Sequence, residues 1–277
     1  MTKRLLLTAA CLSLAASVAC AQDDRSKGDP GYSDTPILPG QPWRVHDIKR
    51  PHPKKVVVPP ATSPVPAPAD AIVLFAGKDL SHWTQRGRGA DRGKTVEPKW
   101  KVKDGYMEIA TRTGDLISKE KFGDAQYHIE WCIPKEVGWA GQWRGNSGVL
   151  LMSRYEIQVL ESHDNVTYAD GQAGAIYAQW PPLVNPARPQ GEWQSYDIVF
   201  EAPKFDEGKL VKPAYVTVFF NGVLVHHRKE IIGRMSHRVV GTYAPHDAEE
   251  PLALQDHDVA VRYRNIWVRP LGAYDKQ

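Results

Sequence analysis

Cysteine is scarce: the 277 residues contain three. Cys11, Cys20 and Cys132 are too few for a disulfide-stapled scaffold. An excess of one charge is also lacking. Thirty-five Lys+Arg stand against 32 Asp+Glu, a net charge of +3. That is too little to hold nucleic acid by bulk electrostatics. Charged residues make up 24% of the chain, an ordinary share that argues against wholesale disorder. The one uncharged apolar run, Leu5–Val18, is too short to cross a bilayer as a helix. G-x-S-x-G, H-E-x-x-H, C-x-x-C, Walker A and EF-hand patterns are absent. Their absence argues against a serine esterase, a zincin, a nucleotide enzyme or a calcium module.

What is present is uneven. Lys3 and Arg4 precede the apolar run, and Ala19-Cys20-Ala21 follows it. This is a secretory signal pattern over residues 1–21. Two processing routes fit: cleavage after Ala21, or lipidation of Cys20 within a lipobox-like Ser17-Val18-Ala19-Cys20. A membrane is expected as partner only through that anchor. Loss of residues 1–21 removes Lys3 and Arg4 and leaves a net charge of +1. Cys132 falls in a strand-like run and is expected to be a buried, inert thiol.

Eleven of the 22 prolines lie between Pro30 and Pro68. Residues 22–70 show no helical or alternating period and read as a proline-rich arm or linker, with polyproline II at Val65–Ala69. One island, Trp43–Ile48, stands out. It is either an incidental ring on a solvated arm or a docking segment.

From residue 71 to about 272 the pattern becomes all-β. Short β-rich runs recur between turn signals: 71–75, 106–110, 126–133, 147–152, 155–160, 195–201, 214–220, 223–227 and 261–268. Asn221-Gly222 tolerates the positive φ of a type I′ turn and predicts a hairpin there. Some 200 residues of this kind suit one β-sandwich.

Polar density on these strands marks candidate sites. Alternation in Tyr155–Glu161 puts Glu156 and Gln158 on one face, and Ile157 and Val159 on the other. The polar pair either faces solvent or lines a ligand sheet. Gly141-Gln142-Trp143-Arg144-Gly145-Asn146-Ser147-Gly148 has the composition of a binding loop, or is an ordinary glycine-rich turn. His257, after Leu254-Gln255-Asp256, is a candidate acid/base or metal ligand, although a lone histidine is more often neither. Arg262 and Arg264 share a face that is either solvated or the wall of a groove. His226 and His227 point oppositely and read as surface or packing residues. Trp139, Trp143 and Trp180 sit in loops, where indoles can stack on sugar rings.

At these residues the chain resembles the 3-keto-disaccharide hydrolase domain family. The shared stretches run in order from Leu74-Phe75-Ala76-Gly77-Lys78-Asp79-Leu80-Ser81-His82-Trp83 through Trp100–Gly105, Asn146-Ser147-Gly148, Tyr155–Leu160, Ala173–Tyr177 and Gly191-Glu192-Trp193. They end with Asn221-Gly222, Leu254–His257 and Arg264-Asn265-Ile266. The resemblance implies a concanavalin-A-like jelly roll of two antiparallel sheets with its ligand on one sheet. It also implies hydrolysis of glycosides oxidised to a ketone at sugar carbon 3. On that analogy Glu156 and His257 are the catalytic candidates, and the candidates for a possible divalent metal. Arg144, Asn146, Gln158, Tyr177, Gln255, Arg264 and Trp143 are the expected substrate contacts. Two residues depart from the family pattern: Glu161 where Asp is common, and Asp258 where Gly is common. The competing expectations are a non-catalytic carbohydrate-binding module on the same sandwich, and an envelope scaffold tethered by its arm.

Overall fold

The structure is a computed structural model and describes residues 25–61 and 64–272. The signal pattern and Cys20 lie outside the described residues. Two antiparallel sheets face each other across one core. The first carries six strands in the spatial order Tyr155–Val159, Ser147–Leu151, Glu250–Leu254, Leu116–Phe122, Trp83–Arg86 and Thr95–Val96. The second runs Val223–Glu230, Tyr215–Phe220, Gln194–Glu201, Ala125–Cys132, Arg262–Pro270, Tyr106–Glu108 and Lys101–Lys103, with Ile72–Phe75 also pairing on Arg262–Pro270. This is the expected jelly-roll sandwich. The only helices among the described residues are three single 3-10 turns.

Alternation decides which side chains make the core. Along Gln194–Glu201 the buried apolar positions are Tyr196, Ile198 and Phe200, and along Ala125–Cys132 they include Tyr127, Ile129 and Trp131. Val149, Leu151, Tyr155, Ile157, Leu252 and Leu254 meet them from the six-stranded sheet. Each such side chain contributes about 1.5–3 kcal/mol by leaving water. Two of the buried indoles satisfy their donors locally, Trp83 Nε1 donating to Leu74 O at 2.9 Å and Trp100 Nε1 to Gly114 O at 3.1 Å, whereas those of Trp131 and Trp267 find no acceptor within the protein. Asn221 and Gly222 take φ of 50° and 80°, joining Tyr215–Phe220 to Val223–Glu230 as expected. Cys132 is a buried free thiol whose pKa burial pushes up to about 11, so it is inert at neutral pH.

The first part of the arm is docked rather than solvated, while most residues from Val57 to Asp70 that the structure describes are exposed. Residues 25–56 lie on the sandwich, and Lys54–Lys55 pair in parallel with Val184–Asn185. Leu38 and Val45 pack with Ala178, while Trp43 itself is only half-buried. The docking residue that matters most is His46. Its backbone N–H and ring Nδ1 both lie 3.0 Å from the Asp170 carboxylate, and both side chains are fully buried. Further along, Val65 is held between Glu130 and Asn265 on the second sheet.

Candidate functional site

The six-stranded sheet has one face on the core and the other turned away from it. On Tyr155–Val159 the outward residues are Glu156 and Gln158, paired across to Leu150 and Gly148 on the neighbouring strand. A cavity of about 470 Å³ opens there. Glu156 lies in its floor. The 3-10 turn Gly141–Trp143 and the residues after it supply Gln142, Trp143 and Asn146, and the end of Glu250–Leu254 supplies Gln255 and His257. Tyr168 and Tyr177 come from the loop after Glu156, Met235 and His237 from a second loop, and Asp29 and Tyr32 from the arm.

Glu156 is 3% exposed, and burial pushes its pKa up to about 8, with the nearby Asp115 charge adding to the rise. Gly148 makes this placement possible. A Cβ there would overlap Glu156 Oε1, so only glycine leaves the carboxyl its room. Desolvation lowers the pKa of His257, whose ring sits 5.6 Å from that of Trp143 and whose Nδ1 has no partner within the protein. Burial, helped by the His46 and Arg238 charges, brings His237 down to about 4, although its ring is at the exposed rim. His237 Nδ1 lies 3.1 Å from Tyr177 Oη, which is itself 3.1 Å from Tyr168 Oη. At neutral pH the cavity thus holds the protonated Glu156 carboxyl and two uncharged imidazoles, with the Asp29 side chain on the arm side. Gln255 Oε1 is a buried acceptor with no protein partner, so a ligand hydroxyl is the natural donor to it.

Among the expected site residues, Glu156, His257, Trp143, Asn146, Tyr177 and Gln255 all line this one cavity. Gln158 is buried beside it, its amide donating to Gln142 Oε1 at 3.0 Å and Gly171 O at 3.3 Å, so it braces the wall. Two expected substrate contacts are displaced. Arg144 turns away to Gln190 Oε1, Asp164 O and the Glu161 carboxylate. Arg264 belongs to the other sheet, where it pairs with Glu130 at 2.6 Å and stacks on Trp193. In both cases a buried carboxylate claims the guanidinium. The departures from the family pattern also find a cause. Glu161 lies beyond the strand end and accepts the N–H groups of His163 and Asp164, away from the cavity. Asp258 sits at φ 63°, a conformation that favours glycine, and is held there by Arg88 at 2.7 Å.

Gln142 falls in the expected binding loop, but Tyr168, Met235, His237, Asp29 and Tyr32 were not anticipated from the sequence. The only signal for the arm residues was the Trp43–Ile48 island. The metal expectation fares poorly. Among the described residues no group of three or more His, Cys, Asp or Glu converges. Glu156 and His257 supply one carboxyl and one imidazole, fewer donors than resident zinc or calcium takes. The donor set does not fit such an ion.

An all-β sandwich with a polar, aromatic-walled cavity on one sheet is built as a carbohydrate-active domain. The 3-keto-alpha-glucoside-1,2-lyase-like domain family matches residues 70–269, and the chain belongs to that family. A presumed glycosyl hydrolase of Parabacteroides distasonis ATCC 8503 is 37% identical, covering 85% of this chain and 100% of its own, with a TM-score of 0.69. Another from the same organism, at 19% identity, covers 73% of this chain and 94% of its own with a TM-score of 0.52, and shares the fold. No curated protein matches.

Proposed function

We propose that the protein is an exported hydrolase of 3-keto-glycosides, acting by elimination and hydration. The observation that carries this reading is the pairing, in one cavity, of a carboxyl raised to about 8 with a half-buried neutral histidine. A ketone at C3 acidifies the hydrogen on C2. A base takes that proton, the C2–H electron pair becomes the C1=C2 bond, and the C1–O bond breaks. The leaving oxygen takes a proton. Water then adds its hydroxyl to C1 and a proton to C2, which completes a net hydrolysis. This route needs a base and an acid but not the spaced carboxylate pair of ordinary glycosidases.

Burial supports one division of the two roles. A carboxyl protonated up to about pH 8 is an acid, so Glu156 protonates the leaving oxygen or supports the enolate. The base falls to His257, which is neutral at pH 7 and has a free ring nitrogen. Asn146, Gln255 and Tyr177 hold hydroxyls, and Trp143 offers a ring face. The near-neutral overall charge suits a neutral sugar. The test is incubation with a 3-keto-glucoside and with its unoxidised parent. Cleavage of the ketone alone is expected. Consumption of neither overturns the reading and leaves a carbohydrate-binding module, to be checked by direct sugar binding.

A further inference from the structure

The family segment begins at residue 70, yet the cavity is lined in part by residues from before it. Asp29 and Tyr32 form part of its wall. The 37%-identical structure covers 85% of this chain, more than the family segment alone supplies, so its likeness reaches into the arm.

The wall is fixed rather than draped. Behind it, His46 and Asp170 bond at 3.0 Å with no solvent exposure, and the His46 ring packs 3.9 Å from that of Tyr168. Tyr32 N–H donates to His46 O at 2.7 Å, which ties the wall residue to that anchor. In front, the Arg238 guanidinium lies 4.2 Å over the Tyr32 ring and bonds both Asp34 carboxylate oxygens at 2.9 Å. Tyr32 also meets the ring of His237 edge-on at 5.9 Å. The arm and the loop carrying Met235 and His237 are thereby joined over one side of the cavity. The cavity, about 470 Å³, lies low in the size range of small-molecule sites.

We infer that Asp29 and Tyr32 are specificity-determining residues: the arm blocks one side of the site and restricts it to short glycosides, with Asp29 accepting from a sugar hydroxyl and Tyr32 stopping chain extension. The inference rests on the proposed glycosidase reading. A site limited to the sandwich alone would be an open groove on the sheet and would accept an internal stretch of a longer glycan.

The experiment compares kcat/KM on a 3-keto-disaccharide and on longer oligosaccharides carrying the same ketone, for wild type, Tyr32→Ala, Tyr32→Phe and Asp29→Asn. Circular dichroism and Tm confirm folding of each. Wild type is expected to favour the short substrate. Tyr32→Ala should reduce that preference about tenfold, while Tyr32→Phe keeps it. Asp29→Asn should raise KM for the short substrate with kcat little changed. An unchanged short-to-long ratio in Tyr32→Ala, with wild type active, overturns the arm's role and leaves the glycosidase reading standing. No cleavage of any ketone by wild type overturns the reading and the proposal with it.

Discussion

Glu156 is a carboxyl that the fold keeps neutral at a cost. Its folded pKa, about 8, lies above its ordinary 4.5. The stability it contributes is therefore fully present below about pH 4.5 and is lost as pH rises through about 8. Glu156→Gln keeps the shape and removes the ionisation. It should abolish cleavage yet stabilise the protein by about 1–3 kcal/mol at pH 8–9, with no gain at pH 4. Denaturant melts at the two pH values check this. The same titration predicts the rate profile. Cleavage should fall as pH rises through about 8, because the acid loses its proton, with an acid limb below about 6.5 set by His257. A rate that instead climbs through pH 8 would make Glu156 the base. Gly148→Ala is the companion substitution. Its methyl would displace the carboxyl, so activity should drop at least about tenfold, while small-to-large strain costs about 1–3 kcal/mol.

At the scale of elements, the strands were readable because inward and outward residues alternate. Tyr196, Ile198 and Phe200 announce their strand, and Asn221-Gly222 announces its hairpin. Short or irregular pieces such as Lys101–Lys103 and Glu250–Leu254 carry too few alternations to stand out. The site was legible where it sits on strands or their ends, as with Glu156 and Gln255. It was illegible where long-range partners decide the outcome. Nothing near Arg144 or Arg264 in sequence reveals that Glu161 and Glu130 will capture them. The arm hid for the same reason, since its anchor pairs His46 with Asp170, 124 residues away. Asp170→Ala leaves the His46 N–H and ring nitrogen buried without an acceptor, at a cost of about 2–4 kcal/mol. Limited proteolysis should then cut between residues 30 and 60 while the sandwich resists. An arm that stays protected would show that Lys54–Lys55 and Leu38 suffice to hold it.

For the whole molecule, buried titrating groups set opposing slopes of stability against pH. His226 is buried against Gly174 O, and burial lowers its folded pKa from 6.5 to about 4. Its contribution is present above about 6.5 and is lost as pH falls through about 4. His257 shifts in the same direction. His128 does the reverse. Burial alone would lower it, but the bonds to Asp197 at 2.7 Å and to Glu130 outweigh that and raise it to about 9. Its contribution is present below about 6.5 and is lost as pH rises through about 9. Glu130, which burial alone would raise, is brought down to about 2 by His128, Asn265 and Arg264, so it weakens the fold only in strong acid. Together with Glu156, these shifts make stability rise with pH on the acid side and fall on the alkaline side, with the maximum near pH 6. His128→Gln removes one of the two alkaline losses and should move that maximum upward while lowering stability at pH 6. Denaturant midpoints measured from pH 4 to 9 test both statements. A curve that keeps rising above pH 7 in wild type would mean that neither Glu156 nor His128 is held protonated by the fold.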